Sequence, residues 1–260
     1  MTTELAIEPS IRSLTDDQLK LFQRDGLVVA RGMYRSLVSD LQRWASEMSA
    51  WAEVPGRHAM YFESSLTQPG ARILNRIEQF IEYHPGFRDF SLGSLKAPVT
   101  KLLGEPARLF KEKINYKMPG GGGFEPHQDS QAGWGEFASY FISVMVCIDA
   151  NTLDNGCAEF AAGHHKMGLL GDEWKPLTEA QLRDVRFDPC PMAPGDAVFF
   201  DSYVPHRSGP NTDSHPRRNL YVTYNRASDG DFRDEYFRKK RKNYPPDVER
   251  QPGQQYSYRV

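Results

Sequence analysis

Two histidines and one aspartate carry the chemistry this sequence can do. In Phe124-Glu125-Pro126-His127-Gln128-Asp129 an imidazole and a carboxylate stand two residues apart. On a strand, residues i and i+2 point to the same face, so the pair aims at one point. His206, in Val204-Pro205-His206-Arg207-Ser208-Gly209, can answer it from a distant, roughly antiparallel strand. The three together cap one triangular face of an octahedral ion and leave the opposite face open. Two histidines and one carboxylate with free positions suit non-haem Fe(II). His-x-Asp on its own is common and mostly structural. Its flanking residues decide for the metal.

Composition narrows what surrounds such a site. Of 260 residues, 39% are hydrophobic, enough to bury a substantial core around it. The formal net charge of −2 gives no global reason to expect nucleic acid or a membrane surface as partner. No apolar run approaches a bilayer span. Met1-Thr2-Thr3-Glu4-Leu5 lacks the basic and apolar regions of a signal peptide. Cys147, Cys157 and Cys190, odd in number and widely spaced, read as reduced thiols. A cytoplasmic protein, monomer or homodimer, acting on a small molecule is the expectation.

The elements that must position the triad read as helices first and strands later. Residues 1–14 form a loose leader. Thr15-x-x-Gln18 is a capping box opening a helix that Gly26 ends, and Leu27-Val28-Val29-Ala30 follows as a strand. Leu37, Leu41, Trp44 and Met48 repeat at helical spacing. Residues 51–80, with Pro55, Gly56, Pro69 and Gly70, read mainly as loops, and Phe87 to Leu103 as helix. From residue 107 the chain turns to strands. Arg108 to Lys117 alternates, with Phe110, Glu112, Ile114 and Tyr116 on one face and Leu109, Lys111, Lys113, Asn115 and Lys117 on the other. Tyr140–Ile148 is a strand buried on both faces. Cys157–Ala161, Ala197–Phe200 and Leu220–Asn225 are further strands, and Thr178–Arg183 is a short helix. Arg238-Lys239-Lys240-Arg241-Lys242 reads as an exposed helix face, and His164-His165 as a structural turn. The pattern predicts one domain over 1–260, mainly β with bracing N-terminal helices, its β core about 107–227.

These residues resemble the phytanoyl-CoA dioxygenase-like family of Fe(II)/2-oxoglutarate oxygenases. The likeness rests on His127-Gln128-Asp129, on Asn155-Gly156-Cys157 with Gly163-His164-His165-Lys166, on Ala193-Pro194-Gly195-Asp196, and on His206-x-Ser208-Gly209-x-Asn211 with Arg217. The resemblance implies a double-stranded β-helix (a cupin-like jelly roll) with Fe(II) held by His127, Asp129 and His206. It implies 2-oxoglutarate anchored by Arg217 and Ser208, with Lys111 and Asn115 as further contacts, and O2 as the other co-substrate. A guanidinium forks onto a carboxylate and a neighbouring hydroxyl adds a donor, which agrees. Arg218 should face the other way as a structural ion-pair residue. Lys113, Gln128 and Trp134 are the expected substrate contacts.

The implied reaction is oxidative decarboxylation of 2-oxoglutarate coupled to hydroxylation of a C–H bond. The carboxylate at Asp129 disfavours halogenation, since halogenases of this kind replace it with a small residue. Lys113-Ile114-Asn115-Tyr116-Lys117 and the tail from Arg241 to Arg250 are most similar to the bacterial branch acting on 2-aminoethylphosphonate. The basic strand face suits such a small anion. An amino-acid or natural-product hydroxylase, a cupin-like metalloenzyme without 2-oxoglutarate, and a non-catalytic binding domain are the alternatives.

Overall fold

The computed structural model describes residues 13–256, so most of the expected leader lies outside the described residues. Thr15 accepts from the Gln18 N–H and Gln18 reaches back to the Thr15 N–H, which starts α1 (Asp16–Asp25). Gly26 ends it at φ +78°, where an added Cβ would meet the His165 ring 2.5 Å away. The chain continues through β1 (Leu27–Ala30), α2 (Val38–Ser49), β2 (Ala59–Ser64), β3 (Arg72–Glu78), α3 (Pro85–Leu92) and α4 (Lys96–Leu103). Then come β4 (Ala107–Lys117), β5 (Phe124–His127), β6 (Phe141–Cys147), β7 (Ala158–Phe160), β8 (Asp188–Pro189), β9 (Ala197–Asp201), β10 (His206–Ser208), β11 (Arg217–Arg226) and α5 (Arg233–Asn243).

All pairings between these strands are antiparallel, in a seven-stranded sheet ordered β1-β9-β6-β11-β4-β3-β2 and a four-stranded sheet ordered β5-β10-β7-β8. Met145, Val198 and Phe200 from the large sheet pack with Ala158 and Phe160 from the small one, which closes the sandwich. The opposite face of the large sheet, with Val144, Phe199 and Val222, packs on Leu41, Ala45, Phe87 and Val99 of the helices. β6 is buried along its whole length, as its apolar run requires. This is the double-stranded β-helix, or jelly roll.

Four expectations change. The segment 51–80 contributes β2 and β3 to the sheet edge. Its strand signal is masked because Arg76 and Glu78 are buried polar residues. Thr178–Arg183 forms turns, with the Thr178 and Gln181 side chains capping each other's backbone region. In β4, a bulge opposite Thr223/Tyr224 reverses the alternation at one end. Leu109 therefore joins the helix-side core, while Phe110 packs with Trp134, Phe141 and Tyr236. Finally, Lys240 of the basic run turns inward, its side chain only 8% exposed.

Glu112, on the helix side of β4, is fully buried and accepts from the N–H groups of Phe80 and Ile81. It also ion-pairs with Arg233, which ties α5 to the sheet. Removing Glu112 leaves the buried Arg233 only the part-exposed Glu82 and leaves the Phe80 and Ile81 N–H groups without their acceptor. Glu112→Ala should therefore lower the unfolding free energy by about 3–5 kcal/mol in urea denaturation. A loss below about 1 kcal/mol would deny α5 this anchor.

Candidate metal and co-substrate site

β5 ends at His127, the extended Gln128 follows, and Asp129 opens a short 3-10 turn, so the i, i+2 geometry survives the end of the strand. β10 pairs antiparallel with β5 and sets His206 directly opposite His127, with ring centroids 4.3 Å apart. One ligand atom from each of His127, Asp129 and His206 lies within 4.8 Å of the others, close enough to share one ion. Among the described residues no other such cluster occurs, and neither His164 nor His165 joins one.

Hydrogen bonds orient each donor. His127 Nδ1 lies 2.6 Å from Glu125 O and His206 Nδ1 lies 3.0 Å from Val204 O. Both Nε2 atoms are thereby left for a metal. Ser143 Oγ donates to Asp129 Oδ2 at 2.7 Å and lies 2.9 Å from Thr223 Oγ1, leaving Asp129 Oδ1 to the site. Burial, then the charge of His206, pushes His127 down to about 3. Burial likewise lowers His206. Both imidazoles are neutral at pH 7, the form a metal needs. Burial would raise the Asp129 carboxyl, but His206, Lys113 and Lys111 outweigh it and hold it at about 2. The donor set therefore fits Fe(II), with the carboxylate and both imidazoles in their ligating states. Ser143 and Thr223 carry no motif, and sequence reasoning missed them.

A second constellation lies at the other end of β11. Arg217 enters the barrel, 1% exposed, and its Nε has no partner. With the Asn219 amide turned to satisfy its neighbours, Asn219 accepts from Arg217 Nη1 at 2.7 Å. Arg218 faces the helices, forks onto Asp149 at 2.7 and 2.9 Å, and reaches Ser46. Nζ of Lys117, the register partner of Arg217, lies 2.7 Å from Ser208 Oγ and 3.4 Å from Gly156 O, and also contacts Gly209 O. Gly156 sits at φ +66°, and a Cβ there would stand 2.2 Å from Gly209 O. Lys117 was read as one more residue of a basic strand face. Its level with Arg217 emerges only from the strand pairing.

The remaining candidates divide along β4. Asn115 is buried with its Oδ1 unpartnered. Lys113 is half-buried, with Nζ 5.1 Å from the Tyr221 ring centroid. Burial, then Lys111, lowers it to about 8. Lys111 lies roughly 20 Å of strand from Lys117. Its Nζ stands 4.8 Å from the Trp134 ring and 5.3 Å from Tyr236. Along the strand Lys111 is thus remote from Arg217 and Ser208 and lies on the Trp134 side of the barrel. Trp134 is 1% exposed, with Nε1 unpartnered.

Gln128 does not face the pocket. Lying between two ligands, it points to the other side, where its Nε2 donates to Gly168 O and Tyr203 O and its Oε1 accepts from Leu170 N–H. These bonds latch the loop that carries Gly168 and Leu170. Beside His127 a cavity of 260 Å³ opens, lined also by Tyr61, Glu63, Asn75, Arg76 and Tyr244.

Burial, then Arg217, pushes Lys117 down to about 6. Above that pH its amine is neutral in the free protein, and an arriving carboxylate restores the ammonium form. Binding of 2-oxoglutarate at pH 7.5 should take up roughly one proton, and at pH 5 almost none. Calorimetry in buffers of different ionisation enthalpy reads this directly. Uptake that persists in Lys117→Met would assign the proton elsewhere.

Comparison with known proteins agrees with the geometry. Residues 22–219 match the family described as Phytanoyl-CoA dioxygenase (PhyH). A 2-aminoethylphosphonate dioxygenase from an uncultured bacterium (HF130_AEPn_1) is 40% identical over 246 residues, 94% of each chain. A methylphosphonate hydroxylase from Gimesia maris is 39% identical, over 89% of this chain and 88% of the relative. Among solved structures, EctD from S. alaskensis with 2-oxoglutarate and 5-hydroxyectoine aligns at TM-score 0.70 and 23% identity, covering 86% of this chain and 82% of that one. The chain belongs to the phytanoyl-CoA dioxygenase family and is an Fe(II)- and 2-oxoglutarate-dependent dioxygenase.

Proposed function

We propose that this enzyme hydroxylates a C–H bond of a small phosphonate, with 2-aminoethylphosphonate the first substrate to test. The observation that carries the reading is the pair Lys111 and Lys113 inside the metal-bearing barrel. Neither makes an ion pair among the described residues, and both ammonium groups stand over aromatic rings. Buried cations that touch no carboxylate directly are costly unless an anion joins them. The two phosphonate-acting relatives supply the anion class.

The chain's own groups divide the work along one strand. His127, Asp129 and His206 would hold Fe(II), which supplies O2 activation coupled to the decarboxylation of 2-oxoglutarate to succinate and CO2. Arg217, Lys117 and Ser208 bind the distal carboxylate of 2-oxoglutarate, with Asn115 alongside. Lys111 takes the phosphonate head, and the Trp134 Nε1–H is a further donor beside it. Lys113 stands between the two and faces the place where both anions meet. The aromatic wall of Phe110, Trp134, Phe141 and Tyr236, packed edge-on and tilted, excludes water from that end.

Arg217→Ala should weaken 2-oxoglutarate by roughly thirtyfold to several-thousandfold, the loss of about 2–5 kcal/mol. Arg218→Ala should change it by less than about tenfold, since its guanidinium serves Asp149. Titration of 2-oxoglutarate into each variant decides, and the reverse order would overturn the anchor. Lys111→Ala should raise the KM for 2-aminoethylphosphonate by about tenfold or more while leaving that for 2-oxoglutarate nearly unchanged. Steady-state assays that detect the hydroxylated phosphonate check it, and equal effects on both KM values would contradict the division.

A further inference from the structure

Helix α5 lies beyond the family-matched segment, which ends at residue 219. It nevertheless reaches the barrel interior. Its Tyr236 ring lies 5.3 Å from the Lys111 ammonium, which also stands 4.8 Å from Trp134, and Tyr244, just past its end, lines the cavity beside His127. Its Lys240 Nζ lies 2.5 Å from Glu78 Oε2, and Arg76 Nε lies 3.0 Å from Glu78 Oε1. Glu78 is 1% exposed, and β3 pairs it with Lys113.

Glu78 is therefore a carboxylate competing for the same cations that a substrate anion needs. Burial would raise its pKa, yet Lys240, Arg76 and then Lys111 hold it down at about 2, so it stays ionised. A buried carboxylate takes whatever cation is within reach. With Lys240 in place, Glu78 has two partners and Lys111 remains on its aromatic seat.

We propose that α5 is part of the substrate-selecting wall, with Lys240 as a positioning residue. By engaging Glu78 it keeps that carboxylate from drawing Lys111 away, and so leaves Lys111 to bind the substrate's anionic head. The inference rests on the phosphonate reading above for its ligand class. It differs in placing part of the selectivity outside the metal-bearing core.

The test uses the full chain loaded anaerobically with Fe(II) and 2-oxoglutarate, titrated calorimetrically with 2-aminoethylphosphonate and with methylphosphonate. Lys240→Met should weaken both phosphonates by about tenfold or more and 2-oxoglutarate by less than about threefold. Adding Glu78→Gln should return phosphonate affinity to within about threefold of the native protein, because no carboxylate then competes. The inference is overturned if Lys240→Met keeps native affinity, if it weakens 2-oxoglutarate equally, or if the double variant stays as weak as the single. Should Lys240→Met not fold, the double variant, which removes both charges, is compared with the native protein directly. Weak phosphonate binding there overturns the inference. A native enzyme that binds both phosphonates and turns over neither defeats the substrate reading alone, and one that binds neither defeats both.

Discussion

The pairing of β11 with β4 decides which charges enter the barrel. Arg217 lies opposite Lys117, Asn219 opposite Asn115, Tyr221 opposite Lys113 and Thr223 opposite Lys111. Alternation then sends this whole set to one face and Arg218, Leu220, Val222 and Ile114 to the other. One residue of slip would exchange the faces, burying Leu220 and Val222 among cations and turning Arg217 onto the helices. The apolar packing of α2, α3 and α4 against the outer face therefore holds the inner, chemical face in register. The catalytic arrangement depends on a core that never touches substrate.

That inner face is rich in cations for a protein interior. Lys111, Lys113 and Arg217, with Lys117 neutral until an anion arrives, face inward from two neighbouring strands, while Asp129 and Glu78 are the carboxylates whose charge reaches Lys113. Such an imbalance would be costly in an empty structural core. It becomes reasonable where two anions are bound together, one the 2-oxoglutarate dicarboxylate and the other the substrate. Aromatic faces at Trp134, Tyr236 and Tyr221 hold the ammonium groups in the meantime, at a modest gain each.

Much of this was legible in the sequence, and what was not has physical reasons. His127, Asp129 and His206 could be read because their roles follow from local alternation and chemically distinctive side chains. Arg217 could be separated from Arg218 for the same reason, since neighbours on a strand face apart. Gln128, between two ligands, turns its amide to Gly168, Leu170 and Tyr203, partners that only the folded chain brings near. The exchange of Leu109 and Phe110 was invisible because a bulge is a property of two paired strands. β2 and β3 were hidden because their buried residues include Arg76 and Glu78, which look like loop residues until their partners are known. Lys117 and Lys240 were read by composition, as members of basic runs, whereas each acts through a contact far away in sequence.

In this arrangement one metal face and one anchor, drawn from the two sheets of a single chain, would hold Fe(II) and 2-oxoglutarate together. Anaerobic titration of Fe(II) and 2-oxoglutarate, read by the weak visible charge-transfer band of their chelate, tests it most directly. The band should saturate at one equivalent of each per chain and be absent from His206→Ala, which keeps the native fold by circular dichroism. A native chain that gives no band, or a His206→Ala variant whose band is undiminished, would contradict the account.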